Sequence, residues 1–268
     1  MLVFIIPLRS AQSSKSWEKV SKLLERTLRS ICHQTSTEYH VIILCHDRPI
    51  LQDDYAQVEF VEVDFPAPNQ ASSIAERRID KNRKLWTGIH HAAKNFKDAH
   101  LMIMDADDCI HKNLAAFVAQ HPQANGWYFS QGYQYQEGSW LIRHRKRGFE
   151  QFCGSCNIVK AGILLDYIKE VQFSDITQSF LLHTQLPYRL AEQNIPLKSL
   201  PFPGAVYITD HSENTLNQAE TIRREFIGNH PFKLMRFYVL RLCKPFISQI
   251  LSAPIRDEFN LYRIEPSD

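Results

Sequence analysis

The decisive stretch of this sequence is Leu101-Met102-Ile103-Met104-Asp105-Ala106-Asp107-Asp108. Four apolar residues are followed at once by three acids within four positions. An uninterrupted apolar run of this length is typical of a strand that is covered by helices on both faces. The acids are therefore predicted to lie at the carboxyl end of a buried strand, which is where α/β sheets bind their ligands.

Three further strands are predicted upstream, and they alternate with helices. The apolar runs 2–6 and 41–45 and the alternating segment 58–63 are typical of strands, whereas 14–34 and 79–93 repeat apolar residues at helical spacing. The order strand, helix, strand, strand, helix, strand predicts an α/β fold with a mainly parallel sheet flanked by helices.

The second half of the chain has a more irregular pattern of short helices, short strands and a hairpin containing Gly132 and Gly138. Because no Gly-, Ser- or Pro-rich linker interrupts it, we expect one domain over 1–228, with the regular half at 1–115 and the irregular half at 116–228. Residues 229–268 are expected to form a helical appendage, with an amphipathic basic helix over 229–251 and a loosely held tail.

The composition excludes some classes of protein. The 31 basic and 29 acidic residues nearly cancel, which argues against a nucleic-acid-binding protein. Six cysteines, several within apolar stretches, fit a reducing cytoplasm. The sequence contains no run of about 18 uncharged apolar residues, so no membrane-spanning helix is predicted. The apolar residues 1–7 lack the basic start and the cleavage site of a signal peptide.

Three acids side by side repel one another unless a positive charge lies near them. Mg²⁺ and Mn²⁺ are typically held by one or two carboxylates together with the phosphate oxygens of a substrate. The sequence therefore favours a divalent metal at Asp105-Ala106-Asp107. The alternative is that the acids cap the helix that begins near His111.

Three segments resemble glycosyltransferase family 2: Thr27-Leu28-Arg29-Ser30-Ile31-Cys32-His33-Gln34-Thr35, the strand 41–45, and the strand that runs into Asp105-Ala106-Asp107-Asp108. The match covers roughly the first 115 residues. The resemblance implies a GT-A (Rossmann-like) fold in which 1–115 binds a nucleotide-diphosphate sugar and 116–228 faces the acceptor. It also implies inverting, metal-dependent transfer of the sugar to an acceptor hydroxyl.

The resemblance also implies roles for individual residues. Asp105 would lie near the ribose or the sugar, Asp107 would bind the metal, and Asp108 would shape the donor site. Pro7 and Arg9, which follow the first strand, lie where the family packs against the base.

Two segments depart from the family's pattern or match it loosely. Where the family has Asp-Asp-x-Ser after the second strand, this chain has His46-Asp47-Arg48, so Asp47 is the substitute for base recognition. The basic segment 80–84 resembles the part that approaches the donor, and Lys84 is predicted to offset the diphosphate charge in preference to Arg83. The alternative is a solvated helix face.

His211 follows an apolar strand, in a position where the resemblance implies that a histidine completes the metal shell. An imidazole ligand suits Mn²⁺ better than Mg²⁺. Inverting transfer also needs a base that takes the proton of the acceptor hydroxyl. His183 is the candidate for that base, with Asp175 as the substitute.

Cys153-Gly154-Ser155-Cys156 allows a redox or zinc site, but the sequence has no second such pair, so a turn of small residues lining the acceptor cleft is favoured. Two other functions stay open. A nucleotidyltransferase of the sugar-nucleotide pyrophosphorylase type would carry a Gly-rich loop after the first strand, and residues 7–12 contain no glycine. A noncatalytic nucleotide-sugar-binding module would not need the acids.

The expected partners are a UDP- or GDP-sugar donor and a glycan or lipid-linked acceptor, without nucleic acid. The protein is expected to be cytoplasmic. Basic residues that flank the apolar stripe of 229–251 also allow a peripheral contact with anionic lipid, although packing against the domain is the commoner use of such a helix.

Overall fold

The computed structural model describes residues 1–211, 213, 235 and 247–264. Within these ranges the chain forms two sheets and six α-helices. The strands of the large sheet are β1 (Leu2–Pro7), β2 (Tyr39–Cys45), β3 (Val58–Glu62), β4 (His100–Ile103), β6 (Gly126–Tyr128), β9 (Asn157–Lys160) and β10 (Lys198–Ser199). Those of the small sheet are β5 (Cys109–Ile110), β7 (Gly132–Gln136), β8 (Leu141–Arg145), β11 (Ala205–Thr209) and β12 (Gln249–Ile250). The helices are α1 (Trp17–Cys32), α2 (Ile74–Asn95), α3 (Leu114–Ala119), α4 (Ala161–Ile168), α5 (Leu186–Glu192) and α6 (Ala253–Phe259).

The large sheet has the strand order β10-β6-β9-β4-β1-β2-β3. β1 pairs in parallel with β2 and β4, β2 with β3, and β6 with β10, whereas β9 is antiparallel to both of its neighbours. The sheet is therefore mainly parallel. The prediction of an α/β fold with a mainly parallel sheet flanked by helices is confirmed.

β1 lies at the centre because both of its faces are apolar. Phe4 packs into a cluster with Leu24 and Leu28 of α1, while Ile5 packs with residues of α2 on the opposite face. α2 approaches closely at Gly88, where a Cβ atom would lie 2.7 Å from side-chain carbons of Ile5 and Leu44. The two long helices thus cover opposite faces of one strand pair.

Short-range signals fix where these helices begin. Ser16 is the N-cap of α1, since its side chain accepts a hydrogen bond from the amide of Lys19 at 3.2 Å. Ser73 and Glu76 form a reciprocal capping box at the start of α2. Residues of both helices line the same cleft as Pro7 at the end of β1.

The small sheet has the order β12-β8-β7-β11-β5 and packs one face against α6. β4 ends at Ile103 in the large sheet, and β5 begins at Cys109 in the small one. The acidic segment 105–108 is therefore the connection between the two sheets.

The described part of the carboxyl-terminal region corrects the prediction for 229–268. Gln249 and Ile250 form a strand that is antiparallel to β8, and residues 253–259 form a helix whose Phe259 is fully buried. Leu251, Ile255, Phe259 and Leu261 belong to the apolar core of the small sheet. Residues 249–261 are therefore neither part of the predicted long helix nor a loose tail. The part of the predicted helix 229–251 that precedes residue 247 lies outside the described residues apart from Met235.

Among the described residues, no helix combines the length and the apolar character that crossing a bilayer requires.

Candidate active site

A cleft of about 280 Å³ opens at the carboxyl ends of β1 and β4. Pro7 and Arg9 reach it from β1 and the turn that follows, and Asp105 and Asp107 reach it from the segment after β4. The amino-terminal half of α2 and the segment that follows β11 complete its walls. The side chains from α2 are Arg77, Arg78, Asp80 and Lys81, β11 itself contributes Tyr207, and His211 and Glu213 follow β11.

Asp107 and His211 meet in this cleft although they are far apart in the sequence. The Oδ2 atom of Asp107 lies 2.8 Å from Nε2 of His211, whose side chain is 1% exposed. Burial raises the pKa of Asp107, but the hydrogen bond from His211 and the positive charges of His211, Lys81 and Arg9 outweigh it and lower that pKa. The two predicted metal-binding side chains are therefore brought together.

Asp105 is held from three sides. Its carboxylate forms an ion pair with Lys81, and its backbone amide donates to Oγ of Ser155 at 2.9 Å. A Cβ atom at Gly154 would lie 2.5 Å from Oδ2 of Asp105. Any larger residue at position 154 would therefore push against the carboxylate.

The Cys153-Gly154-Ser155-Cys156 segment is thus a turn of small residues packed beneath the acids. Both of its cysteines are free and fully buried. Burial and nearby acids raise the pKa of both thiols well above its ordinary value, which opposes the thiolate that redox or zinc chemistry needs. The turn, and not a redox or zinc site, is what the structure shows.

Asp108 points away from the cleft, into the core. Its Oδ2 atom accepts hydrogen bonds from Ser155 at 2.7 Å and from Cys153 at 3.4 Å, and its Oδ1 atom accepts from the amide of Ile208 at 3.1 Å. Burial and the neighbouring charges of Asp107 and Asp105 raise its pKa well above the ordinary value. Asp108 is absent from the cleft lining, so its part is to tie β11 to the turn beneath the acids.

Lys84 is also buried, which corrects the prediction that it faces the donor. Its Nζ atom donates to the backbone oxygen of Leu8 and to Oδ2 of Asp80, both at 2.8 Å. His46 lies 2.6 Å from the other oxygen of Asp80. Burial lowers the pKa of Lys84 against the opposing effect of Asp80. Position 84 is on the inner side of α2, as its spacing from Gly88 indicates. The ammonium group of Lys84 binds Asp80 inside the protein and does not face the cleft.

Lys81 is the lysine of α2 that reaches the cleft, together with Arg77 and Arg78. Sequence reasoning missed Arg77 and Arg78, and within the segment 80–84 it chose Lys84 instead of Lys81. The spacing of positions 77 and 81 by one helical turn was the available signal, since it places both cations on one face. Arg77 donates to the backbone oxygen of Gln70 at 2.7 Å.

Glu213 is another cleft residue that the sequence did not reveal. Its carboxylate accepts from Arg9 Nη1 at 2.9 Å and from the amides of Lys15 and Ser16 at 3.2 and 3.0 Å. His211 therefore contacts Asp107 while Glu213 contacts the residues at the start of α1.

The remaining predicted residues differ in position. Asp47 accepts a hydrogen bond from the amide of Ala11 at 2.9 Å and supports the turn behind Arg9, without belonging to the cleft lining. Asp175 lies elsewhere, in a second cavity of about 470 Å³ beside Tyr167 and Arg189. The structure separates Asp175 from the acids of the cleft.

His183 lies within electrostatic reach of the cleft. Its Nε2 atom is buried and makes no hydrogen bond within the described part of the chain. Burial lowers the pKa of His183, and the positive charge of Lys81 acts in the same direction, while Asp105 opposes both. The imidazole is therefore neutral near pH 7.

Among the described residues, no group of three or more His, Cys, Asp or Glu side chains is arranged to hold a metal ion. Asp107 and His211 form a pair, with Lys81 and Arg9 as the nearby cations.

No family model matches the chain, and no curated protein matches it. Solved structures are similar to it at low identity. A crystal structure of S. aureus TarS has 13% identity and a TM-score of 0.44 over 83% of this chain, which spans 38% of the length of that structure. Francisella tularensis 2-C-methyl-D-erythritol 4-phosphate cytidylyltransferase has 9% identity and a TM-score of 0.42 over 83% of this chain and 97% of its own. A glycosyltransferase involved in the glycosylation of the major capsid of PBCV-1 has 13% identity and a TM-score of 0.32 over 78% of this chain and 82% of its own.

Proposed function

We propose that this protein is a glycosyltransferase that transfers a sugar from a nucleotide-diphosphate sugar to an acceptor hydroxyl with inversion. The observation that carries the proposal is the convergence of Asp105, Asp107 and His211 with several cations in one cleft at the carboxyl ends of parallel strands. Such a cleft fits a ligand that has both a diphosphate and a polar sugar.

The cations fit the charge that develops on the leaving diphosphate. Arg9, Arg77, Arg78 and Lys81 all line the cleft, and Lys81 already pairs with the carboxylate of Asp105. Fixed positive groups stabilise a charge most when they are positioned before the reaction begins. We assign Lys81 the diphosphate role that the sequence suggested for Lys84.

Mn²⁺ or Mg²⁺ would be held by Asp107 and His211. The fit is supported by the proximity of a carboxylate oxygen and an imidazole nitrogen at the cleft wall, where the ion would take the place of the proton that they share; such a donor set suits Mn²⁺. The bound ion would supply Lewis-acid stabilisation of the departing diphosphate. Asp105, held by Lys81 and by the turn beneath it, would orient the sugar.

His183 would take the proton of the acceptor hydroxyl. A base must be unprotonated at the working pH, and burial keeps His183 neutral near pH 7. His183→Gln should therefore lower turnover and remove the decline in rate that protonation of His183 causes on the acid side of the ordinary histidine pKa. A variant that keeps the same pH profile would exclude His183 as the base.

The test is a thermal-shift screen of UDP-, GDP- and dTDP-sugars with and without Mn²⁺, followed by an assay of donor hydrolysis. A donor at about 100 times its Kd would stabilise the fold by about 2.7 kcal/mol. Lys81→Gln is the control, since it should abolish that shift. Transfer of a nucleotidyl group to a sugar phosphate would instead show a nucleotidyltransferase. Donor binding without hydrolysis or transfer would leave a noncatalytic binding module.

The acceptor, a glycan or a lipid-linked sugar, would approach from the half of the chain that contains the small sheet. The contact with anionic lipid predicted for 229–251 stays a prediction, because most of that segment lies outside the described residues.

A further inference from the structure

One face of the small sheet leads directly out of the cleft. Tyr207 of β11 lines the cleft and is paired with Gln134 of β7, which is paired with Arg143 of β8. Since neighbouring strands lie about 4.8 Å apart, the backbones of Tyr207 and Arg143 are separated by roughly 10 Å. The opposite face carries Tyr133 and Tyr135, which pack toward α6.

Arg143 and Arg145 make this face basic. Lys146 and Arg147 follow β8 directly, so four cations lie within five positions of the sequence. Lys146 and Arg147 are exposed, while the two others are half-buried. In the part of the chain that the structure describes, none of the four forms an ion pair with a carboxylate. Their charge is thus available to a ligand.

Arg145 is held in a fixed orientation by neutral groups. Its Nε and Nη2 atoms donate to Oε1 of Gln134 at 3.1 and 3.0 Å, and its Cζ atom lies 3.7 Å from the centre of the Phe152 ring. Phe152 is 47% exposed, so the stacked pair forms part of the surface. Because an amide and a ring orient the guanidinium without neutralising it, the full charge is presented.

The surroundings of Arg145 are unfavourable to that charge in the absence of a counter-ion. Burial and the nearby Arg143 lower the pKa of Arg145 to about 10. A bound anion would offset both effects. Guanidinium groups bind phosphate and carboxylate through paired hydrogen bonds, and the Nη1 atom of Arg145 makes no hydrogen bond within the described residues.

We propose that Arg143 and Arg145 bind a phosphate or carboxylate group of the acceptor, so that the acceptor is a negatively charged sugar with one hydroxyl reaching the cleft. This inference rests on the proposed function for the identity of the ligand as the acceptor. The roughly 10 Å between Tyr207 and Arg143 leaves room for about one sugar unit between the reacting hydroxyl and the charged group.

The experiment consists of separate titrations of the full chain with glucose 6-phosphate, with glucose and with inorganic phosphate. Binding is measured by calorimetry or by NMR chemical shifts. We expect saturable, salt-sensitive binding of the two phosphates and none of glucose. Arg143→Gln/Arg145→Gln should weaken glucose 6-phosphate binding at least tenfold, because two charge-assisted contacts are lost. Lys94→Gln/Lys97→Gln, which removes the same charge from exposed positions at the end of α2, should leave it unchanged.

A second variant distinguishes a loss of binding from a loss of the fold. Lys146→Gln/Arg147→Gln changes only exposed side chains, and it should weaken binding about twofold to threefold by lowering the local positive potential. Equal binding by the wild type and by both basic-face variants would overturn the proposal, as would the lack of saturable phosphate binding. Preferential binding of anionic vesicles or of single-stranded oligonucleotides through Arg143 and Arg145 would also overturn it.

The two proposals fail separately. Lys81→Gln should abolish binding of the nucleotide sugar and leave glucose 6-phosphate binding intact. If nucleotide sugars bind and the basic-face variants are indistinguishable from the wild type, the anionic acceptor is wrong and the proposed function stands. If no nucleotide sugar binds while glucose 6-phosphate still depends on Arg143 and Arg145, the anion site stands and the proposed function is wrong.

Discussion

The cleft and the buried layer beneath it contain the same kinds of residue and use them differently. In the cleft, Lys81 pairs with Asp105 at a position that a ligand can reach. In the buried layer, formed by His46, Lys84 and Asp108 together with Asp80, which also reaches the cleft wall, every polar side chain is bound to another part of the protein. Charges at the surface of a site can be exchanged for a ligand, whereas charges in the buried layer hold the walls of that site in place.

The sharpest contrast is between two neighbours in the sequence. Asp107 is stabilised as a carboxylate by His211 and nearby cations, while burial and the adjacent acids favour the protonated form of Asp108. The direction in which each side chain leaves the backbone decides which environment it meets. Substitutions on the two sides of this boundary should therefore affect different properties.

The largest effect is expected for Asp107→Ala. It removes one of the two side chains that would hold the metal, so metal-dependent turnover should fall by about a thousandfold or more. Circular dichroism should show that the fold is retained, because the carboxylate contributes no apolar contact to the core. Asp64→Ala, a substitution on the loop after β3, is the control. Normal Mn²⁺-dependent turnover of Asp107→Ala would show that the metal assignment is wrong.

A matched pair of lysine substitutions tests the comparison directly. Lys84→Met should destabilise the protein by about 3 kcal/mol, since it leaves Asp80 buried without its cation. Lys81→Met should cost less than about 1 kcal/mol, because that ion pair is partly exposed, but it should abolish donor binding. Urea unfolding and donor titration of both variants give the two readouts. Similar losses of stability in both would contradict the division into cleft and buried layer.

His111, which follows β5, extends the comparison to the pH dependence of stability. It packs against Phe202 and Phe259, and burial lowers its pKa to about 4. The unfolded chain then takes up a proton before the folded one does, so stability that is present above about pH 6.5 is lost as the pH falls toward 4. Because His111 is partly exposed, we expect the free energy of unfolding to fall by about 2 kcal/mol over this pH range.

The measurement is urea unfolding at pH 7 and at pH 4.5 for the wild type and for His111→Gln. Between the two pH values, the free energy of unfolding of His111→Gln should fall by about 2 kcal/mol less than that of the wild type. His121→Gln, which removes an exposed histidine, controls for the loss of one imidazole. An unchanged pH dependence in His111→Gln would show that this residue does not set the acid sensitivity.

The smallest effect is expected for His211→Ala. Carboxylate and diphosphate oxygens would still bind the metal, so we expect the Mn²⁺ concentration that gives half-maximal activity to rise about tenfold. The preference for Mn²⁺ over Mg²⁺ should also decrease. Titration of the activity with each metal checks both results. An unchanged requirement for metal would make His211 a structural partner of Asp107 only.

Much of the fold could be predicted from the sequence because the relevant signals are local. The apolar runs that became β1, β2 and β4, the periodicity of α1 and α2, and the acids after β4 are all visible within windows of 5 to about 20 residues. Burial of an apolar run requires no knowledge of its distant partners. The same signal was weak for α6, where a short helix is stabilised by contacts of Phe259 with strands that lie more than 100 positions away.

The sequence by itself determined the α/β architecture and the position of the acidic segment at the end of a central strand. Only the tertiary structure decided that Asp108 turns into the core, that Lys81 and not Lys84 reaches the cleft, and that Asp107 meets His211 across 104 positions. The physical reason is the range of the interactions. Hydrophobic periodicity is set by near neighbours along the chain, whereas the environment of a charge depends on which distant groups the completed fold places around it.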